Sequence, residues 1–128
     1  MWLNVLMLAI GGAAGAVGRY GISLAVNRLH DHPLPWGTVA VNAIGSLTFG
    51  LLWAWFGGDL KHPMAVLLLG GFLGGFTTFS TFAFESQHLL QNHGPVWALG
   101  HLLAHNALAI GLAAIGVAIG RLAFGSPG

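Results

Sequence analysis

Residues 70–85 read GGFLGGFTTFSTFAFE, in which Thr77, Thr78, Ser80 and Thr81 interleave with Phe76, Phe79, Phe82 and Phe84. Hydroxyls donate as well as accept hydrogen bonds, and a phenyl ring is negative on its face and positive at its edge. The mixture therefore offers an anion O–H donors and ring-edge hydrogens together. A small, hard anion suits such a site best, because bulkier anions need more room. Phe76, Phe79 and Phe82 repeat at i, i+3, which places them on one face of a continuous helix. A greasy packing stripe has the same spacing, but here the same turns carry four hydroxyls. Two Gly-Gly pairs, 70–71 and 74–75, precede the run, and each glycine weakens a helix by about 1 kcal/mol relative to alanine. Hydroxyl side chains can take over the backbone groups that a break sets free. The pattern predicts a break near 74–80. Broken helices inside a membrane expose half-helix ends that bind ions. The carbonyls of Gly74 and Thr77 are candidates for holding a cation, and the hydroxyls of Ser80 and Thr81 for donating to an anion.

Other polar residues lie within apolar stretches, where such residues are functional candidates by default. Asn42, in WGTVAVN, has an amide able to donate two hydrogen bonds to an anion or to tie two helices together. Glu85 closes the run as either a titrating pathway group or an interfacial carboxylate. Arg19 either snorkels to the surface or supplies positive potential at a pore mouth. His101 and His105 stand at i, i+4 with Asn106 beside them. That spacing can ligate a metal, but no thiolate or nearby carboxylate completes a set, so lining a pathway or packing suits them better. His30, His32, His62, His88 and His93 fall in or near loops. No G-x-S-x-G, P-loop or HExxH motif is present, so nothing points to an enzyme.

The elements that must position these residues are membrane spans. Of 128 residues, 55% are hydrophobic and 5% charged, with four Lys/Arg against three Asp/Glu. Soluble domains carry roughly 25% charged residues, so a water-soluble fold is excluded. Four cations make no basic patch for nucleic acid, and the absence of cysteine removes disulfides and thiol chemistry. A span needs about 20 apolar residues, and four stretches qualify, at about 3–26, 36–56, 64–90 and 95–124. They form one four-span domain, 1–128, joined by NRLHDHPLP (27–35), GGDLKHP (57–63) and a short link at 91–95. The amino terminus lacks a basic n-region and reads as the first span rather than a removed signal peptide. With four crossings, Lys61 and Arg121 share one side and Arg28 lies on the other. Either the terminal amine and Lys61 suffice to orient the chain, or it inserts both ways and pairs with an inverted copy. Four helices enclose little, so a homo-oligomer is expected. Small-residue series favour close helix contacts: Gly11 and Gly15 with Ala9 and Ala13, Ala43–Ser46–Gly50, the 70–75 glycines, and Gly111–Gly116–Gly120.

Three stretches, GGAAGAVGRYGIS (11–23), WGTVAVNAIGS (36–46) and GFLGGFTTFSTFAFE (71–85), resemble the signatures of the Fluc/CrcB fluoride channels. The resemblance extends over the whole chain in length and span count. It implies an all-α membrane protein with a broken third helix, assembled as an antiparallel dual-topology homodimer. Two fluoride pores and a central structural Na+ follow from it, as does a place in the bacterial inner membrane, where passive export gives fluoride resistance. By motif, Phe79 and Phe82 match the pore phenylalanines and Asn42 the pore asparagine. Ser80, Thr81 and Glu85 match the polar track. Gly74 and Thr77 match the positions whose carbonyls hold sodium, and Arg19 matches the arginine at the end of the first helix, near the vestibule. The fourth span departs from the family pattern, offering His101, His105 and Asn106 where relatives often carry tyrosine and serine. A pathway histidine there would bring pH-dependent conduction into play. The competing reading is a small dual-topology, proton-coupled exporter of organic cations. Such proteins keep their essential glutamate in the first span, where this chain has no carboxylate. A haem- or metal-carrying membrane subunit using the two histidines is a further alternative.

Overall fold

The computed structural model describes residues 1–125 and is entirely helical among them. The last three residues of the 1–128 domain lie outside the described residues. Helix α1 spans Trp2–Leu29 and α2 spans Trp36–Trp55. The third span is in two pieces, α3 (63–76) and α4 (Phe79–His93), and α5 spans Pro95–Phe124. At 1.5 Å per residue, the 28 residues of α1 reach about 42 Å. Four segments, Trp2–Leu29, Trp36–Trp55, Pro63–His93 and Pro95–Phe124, are long and apolar enough to cross a membrane. Large apolar side chains such as Leu6, Ile10, Val17, Leu103, Ile110 and Leu122 stand exposed, as lipid-facing surfaces require.

Helix ends are set by local chemistry. The first helix continues through Asn27 and Arg28, which the sequence reading placed in a loop, because nothing before Pro33 interrupts it. Asn27 Oδ1 accepts the Gly37 N–H at 2.9 Å, which ties the end of α1 to the start of α2. Gly57 and Gly58, with φ of 60° and 79°, turn the chain out of α2 in the left-handed region that glycine tolerates. His62 caps the next helix by accepting the Met64 N–H at 3.2 Å, and Pro63 starts it. The stretch Val66–Leu73 is π-helical. Further on, α4 continues to His93, three residues beyond the expected end, before Gly94 and Pro95 turn the chain into α5.

Two glycine-mediated crossings hold the bundle. On α1, a Cβ at Gly11 would meet the Leu67 carbonyl and the Phe72 nitrogen, and one at Gly15 would meet the Phe72 carbonyl. Gly71 faces Gly11 in return, and Gly75 faces the Gly12 backbone. Between α2 and α5, Gly50 sits against Ala113 and Val117, while Gly116 sits against Leu47 and Leu51. Gly111, expected to share this role, has open space around it. The pairs Asn42–His105, Gly50–Gly116 and Ala54–Gly120 advance together, so α2 and α5 run in parallel. Val41, Ala65, Leu69, Leu73 and Phe76 form the buried apolar core. Aromatic rings collect toward both ends: His32 lies between Trp36 and Trp97, with ring centroids 6.4 and 5.6 Å away, and Trp55 stacks on Phe56 and Phe124. Such belts mark the two membrane–water interfaces.

Candidate functional site

The third span breaks at Thr77 and Thr78, which are extended (φ −81°, ψ 157° and φ −150°, ψ 118°) between the two half-helices. The paired glycines do not themselves form the break. They let α3 lie against α1, and the two threonines that follow carry the irregular backbone. The Thr77 hydroxyl donates back to the Leu73 carbonyl at 2.8 Å, closing the end of α3. Thr78 opens α4 as its N-cap, with Oγ1 accepting the Thr81 N–H at 3.2 Å.

Asn42 holds the broken backbone. Its Oδ1 accepts the Thr78 N–H at 2.8 Å, and its Nδ2 donates to the Thr78 carbonyl at 2.9 Å. The same Nδ2 lies 3.0 Å from His105 Nε2. Since an amide nitrogen only donates, Nε2 accepts. Both amide protons are thus engaged inside the protein, which corrects the expectation that they are available to an anion. Extended backbone must find hydrogen-bond partners at membrane depth, and that need takes precedence. Asn42 is a positioning residue for the break.

The break also corrects the phenylalanine face. Two extended residues interrupt the helical period, so Phe76 belongs to α3 and stacks on Phe72 at 5.7 Å. Phe79 is 77% exposed on α4, whereas Phe82 is 4% exposed. Phe79 and Phe82 remain neighbours, with ring centroids 5.6 Å apart and tilted by 56°. They border a cavity of about 320 Å³ together with Asn42, Thr77, Thr78 and His105. Behind Phe82 lie the two imidazoles, with centroids 4.2 Å (His105) and 5.2 Å (His101) from its ring.

Ser80 and Thr81 are exposed on α4 beside this cavity rather than in its lining. The Thr78 hydroxyl donates to Thr81 Oγ1 at 3.0 Å, which leaves the Thr81 proton free to donate outward. Glu85 lies a further turn along and is half-buried; its Oε1 accepts from Thr38 Oγ1 at 2.7 Å, and its Oε2 has no hydrogen-bond partner among the described residues. Arg19 is half-buried on α1, which runs ten residues beyond it to Leu29, so it does not end the helix as the motif comparison implied. It is not among the residues around the cavity. Thr38 and the clamping role of Thr78 were missed in sequence. Thr38 precedes Asn42 by one turn on the same face of α2, and that T-x-x-x-N spacing was the available signal.

The carbonyls of Gly74 and Thr77 have both lost their helical donors. The Thr78 N–H that would reach Gly74 goes to Asn42, and the Thr81 N–H that would reach Thr77 goes to the Thr78 hydroxyl. Free carbonyl oxygens are suitable ligands for a hard monovalent cation. No group of three or more His, Asp or Glu side chains fit to hold a metal ion is present among the described residues.

The sequence matches the family described as CrcB-like protein, Camphor Resistance (CrcB), over residues 6–117. Relatives named fluoride-specific ion channel FluC align along almost their whole length. The one from Magnetococcus marinus is 42% identical over 122 residues, covering 94% of this chain and 99% of its own. The one from Solidesulfovibrio magneticus is 41% identical over 118 residues, covering 90% and 94%. The one from Nitrosococcus oceani is 36% identical over 124 residues, covering 95% and 99%. With a match that spans nearly the whole molecule, including the broken helix, the phenylalanine pair and the asparagine that holds them, the chain belongs to the CrcB family.

Proposed function

We propose that this protein is a fluoride-selective channel that lets cytoplasmic fluoride leave passively, without ATP or proton coupling. The observation that carries the reading is the broken third span, clamped by Asn42, with Phe79 and Phe82 at a cavity in an otherwise apolar bundle. The names of the nearly full-length relatives support it. Fluoride is small and strongly hydrated, so a pathway must replace its water with donors. Phe79 and Phe82 offer ring edges, and Ser80 and Thr81 offer hydroxyl protons. Asn42 contributes by holding these groups in place. No fixed cation borders the cavity, which favours release, since conduction fails where binding is too strong. Glu85, on the Thr38 hydroxyl, continues the polar track toward one end of α4.

The working unit is an antiparallel dimer with two pores in the bacterial inner membrane. Support for this comes from the exposed face of α4. Phe79, Ser80, Thr81 and Phe84 lie uncovered beside the break, and polar or irregular backbone inside a bilayer must be buried in protein or line water. A second copy in the opposite orientation supplies that cover, in keeping with the weak cation bias between the two ends. The Gly74 and Thr77 carbonyls would hold a structural sodium ion. Such an ion neutralises the converging carbonyl dipoles, and the rest of the pathway is built from the chain itself.

Fluoride efflux from liposomes containing the purified protein, read with a fluoride electrode and with chloride followed in parallel, tests the reading. Rapid fluoride loss with negligible chloride loss is expected. A folded protein that releases neither ion would overturn it.

A further inference from the structure

A second cavity, about 480 Å³, lies between the amino-terminal halves of α2 and α5, and none of residues 77–82 lines it. Val39, Ala104 and Leu108 make its wall apolar. Trp36 and Trp97 stand at its rim in one of the two aromatic belts, with the His32 ring between them. Val96 beside them is 81% exposed. Along α5, Leu108 lies about 16 Å deeper than Trp97. The cavity therefore opens at the membrane surface and continues along an apolar wall toward the hydrocarbon.

Two helices start at this cavity, and their first turns differ. At α2 the Trp36 N–H donates to the Leu34 carbonyl at 2.9 Å, and the Gly37 N–H donates to Asn27 Oδ1 at 2.9 Å. At α5 no side chain caps the start. Pro95 has no N–H, and the first backbone bond runs from the Ala98 N–H to the Gly94 carbonyl at 3.3 Å. The N–H groups of Val96 and Trp97, both cavity residues, are therefore without a partner among the described residues. Unpaired N–H groups at the positive end of a helix dipole attract a phosphate. No carboxylate lines the cavity to repel one. One turn deeper is a second unanswered group. His101 is 3% exposed and lines the cavity, and its Nε2 has no hydrogen-bond partner among the described residues. Trp97 and His101 are four residues apart, a rise of about 6 Å. The headgroup layer of one leaflet is about 5–7 Å deep, so the two polar levels are spaced as a phosphate and the acyl esters below it.

We propose that this cavity is a phospholipid site. The phosphate sits on the Val96 and Trp97 N–H groups, an ester carbonyl accepts from the His101 Nε2–H, and one acyl chain runs along Ala104 and Leu108. A free phosphate ion would satisfy only the rim and leave His101 and the apolar wall unanswered. The inference stands apart from the channel reading, since no residue of the break takes part.

The test titrates the purified protein in detergent with dioleoyl phosphatidylglycerol and follows bound lipid by native mass spectrometry. Dioleoylglycerol, with the same chains and no phosphate, and sodium phosphate are separate arms. Phosphatidylglycerol should bind saturably, one per subunit, with dioleoylglycerol roughly tenfold weaker for want of the charged group and phosphate alone not retained. Ala104→Phe puts a ring where the chain lies and should weaken binding roughly tenfold. Leu103→Phe, exposed and outside the cavity, should bind as wild type. His101→Leu should weaken both lipids by the same factor, because both carry esters. A wild-type protein that retains no phosphatidylglycerol would overturn the site, and this arm decides the matter if Ala104→Phe fails to fold. Equal binding in Ala104→Phe and Leu103→Phe would overturn it too. Dioleoylglycerol bound as tightly as phosphatidylglycerol would overturn the phosphate contact, and retention of phosphate alone would overturn the lipid.

Discussion

Replacing Asn42 with leucine removes three hydrogen bonds of 2.8, 2.9 and 3.0 Å. It strands the Thr78 N–H and His105 Nε2 in a buried site, while the Thr78 carbonyl, at the N-cap of α4, keeps the N–H of the first helical turn. At about 1–3 kcal/mol for each stranded group, the penalty is about 2–6 kcal/mol. The chain has one inexpensive escape. If Thr77 and Thr78 rewind into helix, the Thr78 N–H regains the Gly74 carbonyl. An extended residue advances about 3.3 Å and a helical one 1.5 Å, so rewinding two residues shortens the third span by about 4 Å. It also turns α4 about its axis and carries Phe79 and Phe82 away from the cavity. The chain has no cysteine, so Met64→Cys and Gln87→Cys can carry spin labels on the two half-helices. With labelled subunits diluted among unlabelled ones, Asn42→Leu should shorten the label distance by about 4 Å and abolish fluoride efflux. Asn42→Asp keeps the acceptor for Thr78 and should leave the distance closer to wild type. An Asn42→Leu protein with the wild-type distance and wild-type efflux would refute the assignment of Asn42 as the clamp.

Gly15→Ala and Gly116→Ala should each destabilise the protein by about 1–3 kcal/mol, since a Cβ at either site meets backbone of the facing helix. Gly21→Ala, with open space around it, should be neutral or slightly stabilising, and thermal unfolding in detergent separates the cases. Phe79→Ile and Phe82→Ile should sharply reduce fluoride efflux while the elution on size exclusion, expected to be that of the proposed dimer, stays unchanged; full efflux in both would sink the ring-edge role. Thr38→Val strands Glu85 Oε1 and should cost about 1–3 kcal/mol of stability, whereas Thr38→Ser, which keeps the hydroxyl, should behave as wild type in the same unfolding assay. A Cβ at Gly74 meets only the Leu69 carbonyl, at 3.9 Å, within the subunit, so Gly74→Leu should fold as a subunit but fail to dimerise. A dimeric Gly74→Leu protein with unchanged sodium dependence would count against the carbonyl site.

The four helices and the break were legible because each has a local cause. Long apolar runs must be helical in lipid, where every backbone group needs an internal partner. The hydroxyl cluster at 77–81 can replace the partners that a break removes. Helix ends at Leu29 and His93 were read a few residues short, since polar residues such as Asn27 and Gln91 mark the membrane surface without stopping a helix. What a single sequence does not reveal is which donors are already taken. Asn42 and Thr78 read as free polar groups until the fold brings them within 2.8 Å, and the phenylalanine spacing reads as one face until two extended residues shift the period. The same consideration explains where anion chemistry remains possible. The Thr77 hydroxyl answers to the Leu73 carbonyl, and the Asn42 amide is consumed by the Thr78 backbone and His105. The donors left over are Ser80, exposed on α4, Thr81, whose hydroxyl accepts from Thr78, and His105, whose Nε2 accepts from Asn42. In the last two, the acceptor side is already occupied, and that orients the remaining proton outward. The clamp that keeps the helix broken is therefore also what turns these neighbouring groups into donors.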